Sequence, residues 1–120
     1  MTVFEAVGGA DTFFGLVKAF YDEVARDPVL RPMYPADLEP SKRRLALFLI
    51  QFFGGPPNYS LERGHPRLRA RHLDFAIDAA ARDAWLKHMN AAVATLDVPR
   101  PARDELLRYF NDTATFLINR

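Results

Sequence analysis

The sequence predicts an all-α fold in a single domain spanning residues 1–120. Three observations carry that prediction. Apolar residues recur at spacings of three and four through several long segments. Capping residues, glycines and prolines bound those segments. No stretch alternates apolar with polar residues as a half-buried strand does. A chain of this length buries about two thirds of its unfolded surface, which suffices for one core.

The elements follow in chain order. "TVFE" reads as a capping box, with Thr2 as N-cap and Glu5 three residues on, opening a short helix that Gly8 and Gly9 end. Asp11 is expected to cap the next helix, in which Phe13, Val17, Phe20, Tyr21 and Val24 keep helical spacing until Asp27 and Pro28 stop it. "PVLRPMYP" holds three prolines and accommodates only a turn or two of tight helix. A third long helix is expected from Ser41. Its run "RLALFLIQFF" is apolar nearly all round, so it is buried on more than one side. Gly54, Gly55, Pro56 and Pro57 break it. The stretch "NYSLERGHPRLRARHLDFAI" has no long period and reads as a loop with one or two short helical turns, a length of irregular chain that is usually functional. Asp78 caps a fourth long helix striped by Ala81, Trp85, Met89, Val93 and Leu96. "DVPRP" then turns the chain into a last helix striped by Leu106, Leu107, Phe110, Ala114 and Leu117.

Composition narrows the function classes. The formal net charge is +1, without the basic excess of a nucleic-acid binder. Cysteine is absent, which excludes disulfides, thiolate zinc sites and covalent C-x-x-C-H attachment of haem. The first residues lack a basic region followed by an apolar one, and the longest apolar run, "LALFLI", is far short of a membrane span. A cytoplasmic protein is the expectation. Ten phenylalanines suit a roomy core or the lining of a pocket for a large flat ligand.

The chemistry concentrates in "RLRARHLDF", Arg67 to Phe75. His72 alone is weak evidence, and no second ligand stands at zinc-chelate spacing. One metal centre needs only a single protein ligand: haem iron, whose porphyrin supplies four nitrogens. The arginines have two readings, a solvated basic corner or a grip on paired carboxylates such as haem propionates, for which the planar guanidinium is suited. Ser41, Leu45, Phe48, Leu49 and Phe52 share one helix face, and Tyr21 and Trp85 border apolar stripes, each with one donor group. Together they outline an apolar cavity that a phenol, an indole N–H and an imidazole could line.

With "AVGGADTFFGLVKAFYDEVARDPVLRPMYP", "FLIQFFGGPPNYSLERGHPRLRARHLDFAI" and "RDAWLKHMNAAV" in this order and spacing, the chain resembles the group II truncated haemoglobins over nearly its whole length. The resemblance implies a truncated globin, a two-over-two helical sandwich around non-covalent haem b. It assigns His72 as the proximal iron ligand through Nε2, and Trp85, Tyr21 and Tyr34 as distal groups that stabilise a bound ligand. It puts Ser41 at the distal gate, with Leu45 and Phe48 on the distal wall. Arg71, Arg67 and Tyr59 fall where the family holds the propionates, with Phe75 and Met89 as further haem contacts. The gate residue is small and polar where the family can carry histidine, so distal stabilisation falls to Trp85 and the tyrosines. His65 and His88 have no evident claim on iron.

The implied ligands are O2, NO and CO. Hydrogen bonds to a partly charged ligand contribute about 1.5–3 kcal/mol each, so the resemblance implies slow oxygen release and redox or detoxification chemistry rather than bulk transport. Catalysis, as NO dioxygenase or peroxidase, stays open and would use an external reductase. The alternative is a haem-free helical interaction module whose arginine-rich loop binds an acidic partner. Oligomeric state is left open.

Overall fold

A computed structural model describes all 120 residues, and every regular element in it is helical. In chain order these are α1 (Val3–Ala6), α2 (Ala10–Val24), a single 3-10 turn (Arg31–Met33), α3 (Glu39–Phe52), α4 (Asn58–Arg63), α5 (Leu68–His72), α6 (Ala79–Ala94) and α7 (Arg100–Phe116). Four long helices build the body. α2 packs against α3 on one side and α6 on the other, and α6 packs against α7. The α2–α3 pair thus lies over the α6–α7 pair, the two-over-two arrangement.

Local chemistry accounts for most boundaries. The capping box at α1 forms in full: Thr2 Oγ1 accepts from the Glu5 N–H, and Glu5 Oε1 accepts from the Thr2 N–H, both at 3.1 Å. Asp78 caps α6, its carboxylate accepting from the Ala81 N–H at 2.8 Å. Two expected starts differ. α2 begins at Ala10 with Gly9 as N-cap at φ 93°, so Asp11 sits within the first turn and makes no cap bond. There its charge still favours the N-terminal end of the helix dipole. α3 begins two residues before Ser41, at Glu39, whose N–H donates to Asp37 Oδ1 at 3.0 Å. The irregular stretch after α3 contains two short helices, α4 and α5, as its composition suggested.

The core brings Phe13, Phe20, Leu16 and Val24 of α2 against Leu49, Met89, Val93, Leu106 and Phe110, all essentially without solvent contact. α1 is seated on the break after α3. The Phe4 N–H donates to the Phe53 carbonyl at 2.9 Å. A Cβ at Gly54, whose φ is 105°, would lie 2.6 Å from Thr2, and one at Gly55 would lie 2.7 Å from Ile50 and 2.8 Å from the Phe4 ring. Glycine is required there because α1 and the end of α3 together occupy the space. No helix is long and apolar enough to cross a membrane.

Candidate functional site

A cavity of about 650 Å³ opens among the helices, within the range of cofactor pockets. Its wall is mostly apolar and is drawn from every long helix. α3 contributes Ser41, Leu45, Phe48 and Leu49, spaced so that all four share one face. α2 contributes Tyr21, the segment after it Leu30, Met33, Tyr34 and Pro35, and α6 Ala81 and Trp85. Tyr59 of α4, His72 of α5, Phe75 and Ile77 close another side.

His72 is the one imidazole on this wall. Its Nδ1 lies 2.6 Å from the Leu68 carbonyl oxygen, one turn earlier on α5. A carbonyl oxygen only accepts, so in the neutral imidazole it is Nδ1 that carries the proton, leaving the lone pair on Nε2. Nε2 has no hydrogen-bond partner within the protein. An imidazole oriented in this way is set up to ligate a metal.

Three donors meet on another part of the wall. The Tyr21 and Tyr34 rings pack edge to face at 5.5 Å, and Trp85 packs on Phe20 at 5.0 Å. Tyr21, Tyr34 and Trp85 all line this part of the cavity, each carrying one polar group. Burial is the dominant influence on both phenols and pushes them well above the ordinary tyrosine range; for Tyr21 the adjacent Tyr34 adds to the rise. Both phenols are neutral at physiological pH, as an unperturbed tyrosine already is. The segment that carries Tyr34 is held by Arg31, whose guanidinium donates to the carbonyls of Tyr34, Pro35 and Ala36 at 3.2, 3.0 and 2.9 Å. Ser41 is buried, and its hydroxyl accepts from Arg44 at 3.3 Å.

Arginines cluster on the wall as well: Arg44, Arg63, Arg71 and Arg82. Arg71 lies 5.9 Å from the centre of the buried Tyr59 ring and donates to the Arg63 carbonyl at 2.9 Å. These contacts fix the plane of the guanidinium while leaving other N–H groups free.

Of the twelve residues given site roles by the resemblance, ten line this cavity: Tyr21, Tyr34, Ser41, Leu45, Phe48, Tyr59, Arg71, His72, Phe75 and Trp85. Arg67 and Met89 do not. Arg67 is exposed and takes a left-handed backbone, φ 43°, as the residue that starts α5, where its N–H donates to His65 Nδ1 at 3.0 Å. Met89 lies one turn past Trp85 but is wholly enclosed in the core between α2 and α7. Phe52 also leaves the α3 face that lines the cavity, packing on Tyr109 at 4.2 Å and staying half exposed. Arg44, Arg63, Arg82, Tyr109 and Thr113 reach the wall without having been singled out. The sequence signal for Tyr109 and Thr113 was available, since they flank the Phe110 stripe of α7.

An all-helical two-over-two sandwich around one apolar cavity, with a single imidazole and a cluster of donors, defines a small globin. Residues 2–119 match the model of the bacterial-like globin family, and the chain belongs to that family. It is 40% identical over 117 residues to Group 2 truncated hemoglobin YjbI of Bacillus subtilis (strain 168), covering 98% of this chain and 88% of that protein. Among solved structures, the hemoglobin of the thermophilic phototrophic bacterium Chloroflexus aurantiacus superposes with a TM-score of 0.98 at 51% identity, covering 100% of this chain and 99% of that one. The truncated oxygen-avid haemoglobin from Bacillus subtilis superposes at 0.93 with 39% identity, covering 99% and 100%. The chain is thus of the group II truncated haemoglobin kind.

Family membership implies non-covalent haem b and haem-based binding of diatomic ligands such as O2. The residues on the wall fit that group. One basic nitrogen is free of protein partners, the lining is largely apolar, and arginines stand ready for carboxylates. A haem-free interaction module is set aside by the same membership.

Proposed function

We propose that the protein binds dioxygen and related diatomic ligands, NO and CO, at histidine-ligated haem and releases dioxygen slowly, serving redox or detoxification chemistry of NO or reactive oxygen rather than bulk transport. When bound, haem would supply an iron able to take a diatomic ligand. His72 is the protein ligand in this reading, its tautomer set by the Leu68 carbonyl. Trp85, Tyr21 and Tyr34 hold the diatomic ligand by hydrogen bonds. Ser41, Leu45 and Phe48 form the wall that keeps bulk water away. Arg71 and Tyr59 would hold the propionates, with Arg44, Arg63 and Arg82 as further cations on the wall, and Phe75 would contact the haem. Electrons for any repeated turnover come from an external reductase.

The observation that carries this reading is the set of three donor-bearing side chains, Tyr21, Tyr34 and Trp85, on the same apolar cavity as His72. Donors in a dry site form stronger hydrogen bonds than donors competing with water. The relative whose structure is described as oxygen-avid shares the fold at 39% identity, which agrees with tight retention. Two measurements test the proposal. Release of dioxygen from the ferrous protein is expected to be slow, and release complete within milliseconds overturns the slow-release reading. The His72→Ala variant is expected to lose haem or to bind it weakly. A normal haem spectrum in that variant moves the protein ligand elsewhere. Nitrate production under steady reduction, measured against oxygen storage alone, separates catalysis from binding.

A further inference from the structure

α5 spans only Leu68–His72, little more than one turn, so the helix alone fixes the position of its last residue weakly. The carbonyls that emerge from such an end need partners from outside. They find them after α7. Asn119 Nδ2 donates to the His72 carbonyl at 3.2 Å and to the Phe75 carbonyl at 2.9 Å. Its Oδ1 accepts from the Ile77 N–H at 2.9 Å, and its own N–H donates to the Ile77 carbonyl at 2.9 Å. The Arg120 N–H reaches the same Ile77 carbonyl at 3.2 Å. One side chain thus uses both ends of its amide on the stretch that leaves His72. Two more ties brace the same region: Arg69 donates to the Phe116 carbonyl at 2.5 Å, and Arg82 donates to Thr115 Oγ1 at 3.1 Å.

We propose that Asn119 is a positioning residue for His72, setting where the imidazole stands through the His72 carbonyl and the Phe75–Ile77 backbone. This rests on the reading of His72 as the haem ligand. A flat primary amide is suited to the role because it offers two N–H donors and a carbonyl acceptor on one short stem. Aspartate has nearly the same shape but donates nothing. It keeps the bond from Ile77 while turning a donor toward two carbonyl oxygens into an acceptor facing them.

The test uses the haem-loaded chain. In Asn119→Asp the iron–imidazole stretching band of the ferrous, ligand-free protein, read by resonance Raman, is expected to shift or broaden. Transfer of haem to an excess of a haem-scavenging apoprotein is expected to speed up about fivefold or more, the worth of one ordinary hydrogen bond in a rate. Asn111→Ala removes a side-chain amide from the exposed face of α7 and is expected to leave the band in place. A merely structural contribution from Asn119 would lower the melting temperature and leave the band unchanged, which overturns the proposal. A second measurement needs no variant: the Asn119 side-chain amide protons of the unaltered protein are expected to exchange slowly with solvent, and exchange at the rate of a free amide also overturns it. If His72→Ala keeps a normal haem spectrum, the underlying reading fails. If that variant loses haem while Asn119→Asp behaves as wild type, only the positioning role fails.

Discussion

His88 on α6 and Asp27, just beyond α2, meet through Nε2 and Oδ2 at 2.6 Å, with both side chains largely shielded from solvent. The other oxygen of the same carboxylate accepts from the Val29 and Leu30 N–H groups at 2.7 and 3.1 Å. Asp27 therefore organises the corner that leads into the 3-10 turn and Tyr34, and His88 ties that corner to the helix that carries Trp85. The segment that carries Tyr34 and the helix that carries Trp85 are held together by this pair.

The pair predicts a pH dependence of stability. The His88 hydrogen bond, foremost, and the two backbone N–H groups hold the Asp27 carboxyl below its ordinary value of 3.8, against a smaller upward push from burial. A carboxyl depressed in the folded state favours folding fully above its unfolded pKa, and the benefit is lost as pH falls through the folded pKa. Asp27→Asn is therefore expected to melt below wild type at neutral pH, with the gap closing in acid below about pH 4. Melting curves at both pH values check this, and a gap of constant size would remove the carboxylate from the account.

Replacing Trp85 by Phe keeps an aromatic body against Phe20 and Phe110 and deletes the only N–H it offers the cavity. A hydrogen bond to a partly charged partner contributes about 1.5–3 kcal/mol. Dioxygen dissociation is expected to quicken about tenfold or more. Flash photolysis or rapid mixing reads the rate directly, and an unaltered rate would leave the tyrosines as the sole donors.

Haem should also stabilise the fold. A ligand that binds only the folded chain raises stability by mass action, about 2.7 kcal/mol at a free concentration a hundredfold above its dissociation constant. Protein depleted of haem is expected to melt lower and to regain its melting temperature when haem is returned in stoichiometric amount. Identical transitions with and without haem would show that the cavity wall gains nothing from its cofactor.

Much of this was legible in the sequence because it depends on near neighbours. Thr2 with Glu5, Asp78 with the start of α6, and the glycine–proline break after α3 act within a few residues, and all appear where the pattern put them. The cavity face of α3 was legible too, since Ser41, Leu45, Phe48 and Leu49 keep helical spacing. Periodicity does not reveal what a stripe faces. Met89 and Phe52 keep the same spacing, yet Met89 meets the core and Phe52 meets Tyr109. Arg67 read as one member of an arginine grip, whereas its place depends on a backbone angle that its neighbours do not announce. The two most informative polar contacts were invisible for a different reason. Asp27 and His88 stand 61 residues apart, and Asn119 and His72 stand 47 apart, so only the folded chain brings them together.

The seat of α1 on the glycine break has a consequence for the order of events during synthesis. Phe4 leaves the ribosome about fifty residues before Phe53 and Gly55, and closing a loop of that length costs entropy. A four-residue helix does not persist in isolation. The α1 segment therefore cannot take its final place until α3 and the glycines after it have been made. α1 is thus made well before the seat that holds it.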